Sequence, residues 1–164
     1  MSRAALYRKS EEQKRRYSTY GMFVVVFYLA TLLIGAVIYS SSNLPVYLSI
    51  NAAIASGGVV LFIQSLLVLL SYITLVAAAV LTFLSRSTTS RGEFTSSRKL
   101  LYASLIALGA TMVFTTSALA PPAFNYIGGL ILIYVVLLVI CIALAFYAIV
   151  ILKQIEEYYT PRRK

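Results

Sequence analysis

The chain has 164 residues, of which 60% are hydrophobic and only 12% are charged, and its formal net charge is +9. Because a soluble domain carries about 25% charged residues, this composition excludes an ordinary soluble globular protein. It indicates one membrane domain without a separate soluble domain.

Two long stretches contain no Asp, Glu, Lys, Arg or His. Tyr17 to Ser85 holds 69 residues of this kind, and Leu100 to Leu152 holds 53. About 20 helical residues cross a bilayer core about 30 Å thick, so each stretch is long enough for two crossings. The sequence therefore predicts an all-α membrane protein with four transmembrane helices.

In chain order, the prediction comprises a basic cytoplasmic arm (1–16), a transmembrane domain (17–152) and a basic cytoplasmic tail (153–164). Turn-forming residues divide the domain into helices at about 20–39, 57–84, 100–118 and 126–152. The Ser/Thr/Arg segment 85–99 is predicted as a loop. Segment 46–56 is either a short interfacial or re-entrant helix, or the tilted beginning of a longer second helix.

The fourteen Lys and Arg residues all lie in three segments, namely Arg3–Arg16, Arg86–Lys99 and Lys153–Lys164. Four crossings place these segments on one side of the membrane, and the positive-inside rule assigns that side to the cytoplasm. Both termini are therefore predicted to be cytoplasmic. We expect a multi-pass integral protein of the cell (plasma) membrane.

Cations next to the predicted helix ends are candidates for contact with anionic lipid head groups on the cytoplasmic side. Each contributes about 1 kcal/mol of attraction near the surface. The candidates are Lys14, Arg15, Arg16, Arg98 and Lys99. No specific nucleic-acid partner is expected, because basic segments beside membrane helices mostly act as topology signals.

The two halves of the chain share a pattern of glycine and proline. Gly35 and Gly109 each open a small or polar segment, and Pro45 and Pro121 follow these segments. A Gly-Gly pair then opens the next helix, at an offset of 71 residues between the halves, against 74 for the single glycines. The pattern predicts a duplicated two-helix hairpin with parallel copies. The alternative is chance agreement between apolar, Gly-rich segments.

The repeated glycines are candidate helix-packing positions, because a residue without Cβ lets two helices approach closely in lipid. These candidates are Gly35, Gly57, Gly58, Gly109, Gly128 and Gly129. The alternative for the two Gly-Gly pairs is that they only shape the turn.

Two residues inside the apolar stretches have distinctive side chains. Gln64 is a candidate intramembrane polar residue that faces a pore or another subunit; the alternative is a hydrogen bond inside the bundle. The single cysteine, Cys141, is interpreted as a small buried hydrophobe, because a reactive thiolate needs electropositive surroundings and water.

Ionisable chemistry is confined to the predicted cytoplasmic side. The chain has no His and no Asp, and its five carboxylates are Glu11, Glu12, Glu93, Glu156 and Glu157. Haem, copper and non-haem iron sites and proton relays depend on such groups within the protein interior or the membrane. We therefore expect no catalytic residue, no bound metal and no cofactor.

The sequence thus predicts a small non-catalytic integral membrane protein, a structural or accessory subunit of a membrane assembly. It would associate with itself or with larger membrane subunits through its glycine faces. The alternative is a pore or transporter for a small uncharged solute, since a charged solute would need focusing groups within the membrane. An enzyme is disfavoured by the residue inventory.

Overall fold

The computed structural model describes residues 3–41, 59–118 and 128–159. Their helices are α1 (Arg3–Ser41), α2 (Val59–Ser90), α3 (Phe94–Ala118) and α4 (Gly128–Tyr159). Within these ranges, four segments are long and apolar enough to cross a membrane, namely Glu11–Ser40, Phe62–Ser90, Phe94–Ser117 and Leu130–Glu157. The all-helical prediction with four candidate spans is confirmed, which supports a multi-pass integral membrane protein.

The helices form a ring in which each one packs on its neighbours in the order α1, α2, α3, α4. The α2–α3 contact is the most extensive, followed by α1–α4 and α3–α4, and the α1–α2 contact is the smallest of the four. Tyr17 of α1, Ser85 of α2 and Ser97 of α3 meet at one end of this ring. The charged residues at the helix termini lie at that end, which we call the basic end.

Buried positions alternate at spacings of three and four residues along each helix. In α3 they are Ser97, Leu101, Ser104, Leu108, Thr111 and Thr115. In α4 the same spacing runs through Tyr134, Leu138, Cys141, Ala145, Ala148, Leu152 and Ile155. This spacing is typical of helices that cross at a shallow angle of about 20° with interlocking side chains. It is the spacing expected of a left-handed four-helix bundle.

Large apolar side chains point outward from the bundle, and many of the buried side chains are small or carry a hydroxyl group. Ile106 is 74% exposed, and Leu33 and Leu132 are similarly open, whereas Ser85, Ser104 and other hydroxyl residues are fully enclosed. In lipid, helices gain nothing by hiding leucine from hydrocarbon, so small residues that permit close approach collect at their contacts. This distribution is the one expected of a membrane bundle.

Three predicted boundaries at the basic end differ from the structure; one is the end of α4, which continues to Tyr159 beyond the predicted residue 152. The loop predicted at 85–99 is reduced to the turn at 91–93 between α2 and α3. The Thr88 and Thr89 hydroxyls donate to the backbone carbonyl of Ser85, at 2.9 and 2.8 Å, so these residues extend α2 by satisfying the helix with their own side chains. Gly92 then takes the positive φ, +83°, that reverses the chain. Likewise, α1 extends through the arm from Arg3.

The internal repeat stays a prediction, and the register suggested by the glycines does not match the burial pattern. At an offset of 74, Tyr28, which is 3% exposed, corresponds to Tyr102, which is 49% exposed. A shift of one residue aligns buried Tyr28 with buried Leu101. Any two helices with the same spacing of buried residues can be aligned in this way, so the match is no evidence of duplication. Segment 46–56 lies outside the described residues.

Candidate functional site

The first group of buried polar side chains lies where α1, α2 and α3 meet, about one third of the way along the bundle. The Thr82 and Ser104 hydroxyl oxygens are 2.7 Å apart, and the Tyr28 hydroxyl lies 3.1 Å from that of Ser104. Thr82 and Ser104 also donate to the carbonyl oxygen of Ala78, at 2.9 and 3.0 Å. We call Tyr28, Thr82 and Ser104 the central hydroxyl cluster; it ties three helices together.

A second group joins the same three helices at the basic end. The Ser85 and Ser97 hydroxyl oxygens are 2.7 Å apart, and each lies 3.0 Å or less from the other residue's backbone carbonyl. The Tyr17 hydroxyl lies 3.3 Å from that of Ser85. Because both serines are fully buried, the side chains satisfy each other where water is excluded.

Further polar contacts lie farther from the basic end. Thr74 of α2 and Thr111 of α3 approach to 2.8 Å, and Thr31 of α1 lies 3.6 Å from the sulfur of Cys141 on α4. Near the far end, the Tyr134 hydroxyl lies close to Ser71 and Thr115. Within the described part of the chain, Thr115 Oγ1 is buried without hydrogen-bonding geometry to any partner.

These groups offer hydrogen bonding but little chemistry. Six of the described polar residues have a relative exposure of 0%, namely Thr31, Ser65, Ser85, Ser97, Ser104 and Thr111. A water-filled passage along the bundle axis would expose some of this surface to solvent, so the interior is closed at these levels. The expected burial of Cys141 is confirmed, and its immediate polar neighbour is a neutral threonine. Burial among neutral groups disfavours the thiolate, which is the reactive form of cysteine.

Gln64 lies inside the bundle. Its side chain is 3% exposed, and the adjacent Ser65 is also buried. Both residues take part in interactions within the chain. This placement is inside the bundle and not on a surface that another subunit could contact, and the role of Gln64 toward a pore or as a hydrogen-bonding residue stays a prediction.

The glycine candidates differ in their surroundings. A Cβ on Gly35 would lie 3.1 Å from the Tyr134 ring, so this glycine forms a close contact between α1 and α4. A Cβ on Gly109 would meet no atom within 4 Å, because Gly109 is on the exposed face of α3. Gly109 is therefore not at a helix contact inside this chain, and only its role against a second chain stays a prediction.

The remaining glycine candidates are the two Gly-Gly pairs. Gly57 and Gly58 lie outside the described residues, and Gly128 and Gly129 form the beginning of α4. Their roles in packing or in the turn stay predictions. The sequence reasoning missed Gly21, which is buried against the side chain of Arg86. It has no counterpart in the proposed repeat, and its partner is 65 residues away, so no local pattern could have indicated it.

The cations predicted to contact lipid are of two kinds. Arg98 donates to Glu156 at 2.6 Å and so links α3 to α4, with Thr95 donating to the other carboxylate oxygen at 2.9 Å. Arg16 forms an exposed pair with Glu12, at 3.0 Å. Lys14, Arg15 and Lys99 have exposed side chains. Lipid contact stays a prediction for all five, and for Arg98 it competes with an internal ion pair.

Two surface grooves at the basic end carry cations. One, of about 370 Å³, lies between α1 and the α2–α3 turn, and the other, of about 460 Å³, lies between α1 and α4. The first contains Arg86 and Arg91, which sequence reasoning did not select. Comparison with protein-family models, with curated proteins and with solved structures finds no match to this chain. Its function must therefore be inferred from the contacts described above.

Proposed function

We propose that this chain is a non-catalytic structural or accessory subunit of a membrane assembly. The observation that carries the proposal is the closed hydroxyl interior. Thr82, Ser104 and the serine pair at the basic end bond to one another or to backbone carbonyls. Side chains that satisfy each other in a dry interior stabilise the packing of helices and are not available to bind a substrate.

The outer surface supports the same proposal. Large apolar side chains cover the described helices on their outward faces, among them Phe23, Leu33, Phe83, Ile106 and Leu132. A protein whose interior is closed interacts with other molecules through this surface. Its partners are lipids, further copies of the chain or larger membrane subunits, which pack through shape rather than through a hydrophobic driving force.

The competing function is a pore or transporter for a small uncharged solute. Polar side chains recur along the bundle axis from the basic end to Tyr134, as a solute path requires. A passage through one chain would have to open contacts in which Thr31, Ser104 and Thr111 have no exposed surface. A path between several chains would not require this opening.

The assembly test uses the intact chain purified in a mild detergent and weighed by native mass spectrometry. We expect a complex of defined composition that is heavier than the 18.0 kDa chain. Recovery of the 18.0 kDa monomer alone, in every mild detergent and in lipid nanodiscs, would contradict the proposal.

Glycerol uptake into vesicles separates the two functions. We expect the rate of glycerol uptake into vesicles that contain the purified protein to equal the rate into vesicles without protein. If uptake instead rises with protein content, Thr111→Ala locates the path. Removal of the buried Thr111 hydroxyl should change the uptake rate if the solute passes inside the bundle. Thr116→Ala, on the exposed face of α3, is the control and should leave the uptake rate unchanged.

The orientation and the repeat belong to the same proposal. The basic end is cytoplasmic because all the Lys and Arg residues are in the arm, the α2–α3 connection and the tail, and the membrane is the plasma membrane. A duplicated hairpin is compatible with the ring order, in which α1–α2 and α3–α4 hold equivalent places. The different surroundings of Gly35 and Gly109 weigh against the glycine register.

A further inference from the structure

The face between α1 and α2 carries two grooves that follow each other along the helices. The groove at the basic end is polar and positively charged, with a volume of about 370 Å³. The residues that line this part, which we call the cationic groove, are Lys14, Tyr17, Ser18, Arg86, Thr89, Ser90, Arg91 and Gly92. They supply three positive charges, and no carboxylate is among them.

Guanidinium groups are the main hydrogen-bond donors in the cationic groove. The Thr89 and Ser90 hydroxyls already donate to backbone carbonyls, at 2.8 and 2.7 Å, so their protons are not available to a ligand. Arg86 and Arg91 present planar groups with several N–H donors, a geometry that matches the oxygens of phosphate. The same geometry also fits a carboxylate, but at a membrane surface the abundant anion is the phosphate of a lipid head group.

Gly21 positions Arg86 in this groove. A Cβ on Gly21 would lie 2.6 Å from Nε and 2.8 Å from Cδ of Arg86. The arginine side chain thus crosses α1 over the space that a larger residue would occupy. Replacement of Gly21 by alanine would displace this flexible side chain without requiring the backbone to move.

An apolar groove of about 260 Å³ continues on the same face toward the far end of the bundle. It is lined by Val25, Tyr28, Leu29, Leu32, Ala79, Val80, Thr82, Phe83 and Leu84. It begins about one turn beyond Gly21 and runs for about 10 Å along α1, at 1.5 Å per residue. It exists because the α1–α2 contact is the smallest of the ring, so side chains leave space there.

The other cationic groove, between α1 and α4, lacks this arrangement. Its cations are Arg15 and Arg16, and Arg16 is paired with Glu12, which also lines it. Its net positive charge is therefore smaller. The α1–α2 face is the better site for an anion that also has a long apolar part.

We propose that the α1–α2 face binds an anionic phospholipid, with its phosphate against Arg86 and Arg91 and one acyl chain in the apolar groove. The order of charge and apolar surface along the two grooves is the order of head group and chain in a lipid entering from the leaflet at the basic end. A free phosphate ion would use only the cationic part. The proposal does not depend on the structural or accessory role.

The test measures thermal unfolding of the full chain in an uncharged detergent while a soluble lipid is titrated in. The probes are dioctanoyl phosphatidic acid, dioctanoyl phosphatidylcholine, glycerol 3-phosphate and inorganic phosphate. We expect saturating dioctanoyl phosphatidic acid to raise the melting temperature by at least about 2 °C. The other three probes should produce less than half of this shift.

Three variants and their controls locate the site. Arg86→Gln and Arg91→Gln should each weaken the affinity for dioctanoyl phosphatidic acid by about tenfold, the loss expected for a charged hydrogen bond. Gly21→Ala should weaken it similarly through Arg86. Arg8→Gln removes the same charge at an exposed position that lines neither groove, and Gly109→Ala makes the same substitution where a Cβ meets nothing; both should retain the wild-type affinity.

Three results would overturn the proposal. One is the absence of any shift with dioctanoyl phosphatidic acid in the wild-type chain. Another is an equal loss of affinity in Arg8→Gln and Arg86→Gln, which would mean that only net charge matters. The third is an equal shift with glycerol 3-phosphate or inorganic phosphate, which would assign the groove to a free phosphate and not to a lipid.

Discussion

Hydroxyl and small side chains form many of the contacts between the helices at the scale of single residues. Interhelical hydrogen bonds in lipid contribute about 0.6 kcal/mol each, so no single pair such as Thr74–Thr111 decides the fold. Ser85 and Ser97 have a larger role because each hydroxyl lies within hydrogen-bonding distance of both the side chain and the backbone carbonyl of the other residue. A set of such pairs specifies the register of each helix against its neighbours.

Gly35 is the glycine for which the structure gives a clear packing role. We expect Gly35→Leu to lower the free energy of unfolding by about 1–3 kcal/mol, because the side chain would overpack the contact with the Tyr134 ring. The measurement is thermal or denaturant unfolding of the purified chain in detergent, with intrinsic tyrosine fluorescence as the signal.

Gly109→Leu is the matched control for this prediction, since it makes the same substitution on an exposed helix face. Its unfolding should stay within about 0.5 kcal/mol of the wild type, as for most surface substitutions. Equal destabilisation by both variants would contradict the assignment of Gly35. If Gly109→Leu instead reduces only the amount of assembled complex, Gly109 contacts a second chain.

At the scale of elements, the helix ends at the basic end are held by polar contacts rather than by long loops. Thr88, Thr89 and Ser90 continue α2 by bonding to their own backbone, and the turn at 91–93 leads directly into α3. Phe94 begins α3, and Arg98, one turn later, joins it to α4 through Glu156. The Arg98–Glu156 ion pair therefore holds the end of α4 at this side, which the Ser85–Ser97 pair does not reach.

The Arg98–Glu156 pair can be measured by a double-mutant cycle. With side-chain exposures of 31% and 25%, the pair is partly shielded from water, and we expect a coupling free energy of about 0.5–1 kcal/mol. The variants are Arg98→Gln, Glu156→Gln and the double variant, compared by unfolding in detergent at low and high salt. The coupling should decrease in 1 M salt because the pair is not fully buried.

Additive effects of the two substitutions would show that the pair does not stabilise the bundle. Arg16→Gln with Glu12→Gln is a useful control cycle, since that pair is exposed and lies within one helix. Its coupling should be about 0.3–0.5 kcal/mol, below that of the pair between α3 and α4.

At the scale of the whole molecule, the ring of four helices brings every described segment that is rich in Lys and Arg to one end. The spans alternate in direction, so the N-terminal part of α1, the α2–α3 turn and the C-terminal part of α4 meet. This charge asymmetry orients a membrane protein during insertion. The unequal contacts around the ring leave the α1–α2 face least filled, and the lipid site is proposed there.

Thiol labelling in intact cells tests the orientation. In a Cys141→Ala background, cysteines introduced at Ser2 and Thr160 should resist a membrane-impermeant thiol reagent, whereas one at Ser42 should be labelled. All three should react after the cells are permeabilised. The opposite pattern would reverse the proposed orientation, and labelling at both Ser2 and Ser42 would contradict an odd number of crossings between them.

Much of the fold could be predicted from the residues, but the candidate site could not. Uncharged length is enough to predict four spans, and the positions of Lys and Arg are enough to predict that they share one end. The helix extension through Thr88 and Thr89 was missed because these residues usually indicate loops. Their side chains can replace water as partners of the backbone only when the next helix packs against them, as Ser97 does.

The sequence by itself determined that this protein is a helical membrane protein with four spans and one basic end, because a charge inside lipid is costly and the two long stretches contain none. Only the tertiary structure decided which face of each helix is inside. Apolar residues occur on every side of these helices, so hydrophobic periodicity does not distinguish a face toward lipid from a face toward another helix. The close approach of two helices does distinguish these faces. It favours small or hydrogen-bonding residues such as Ser85, Ser104 and Gly35 in the interior.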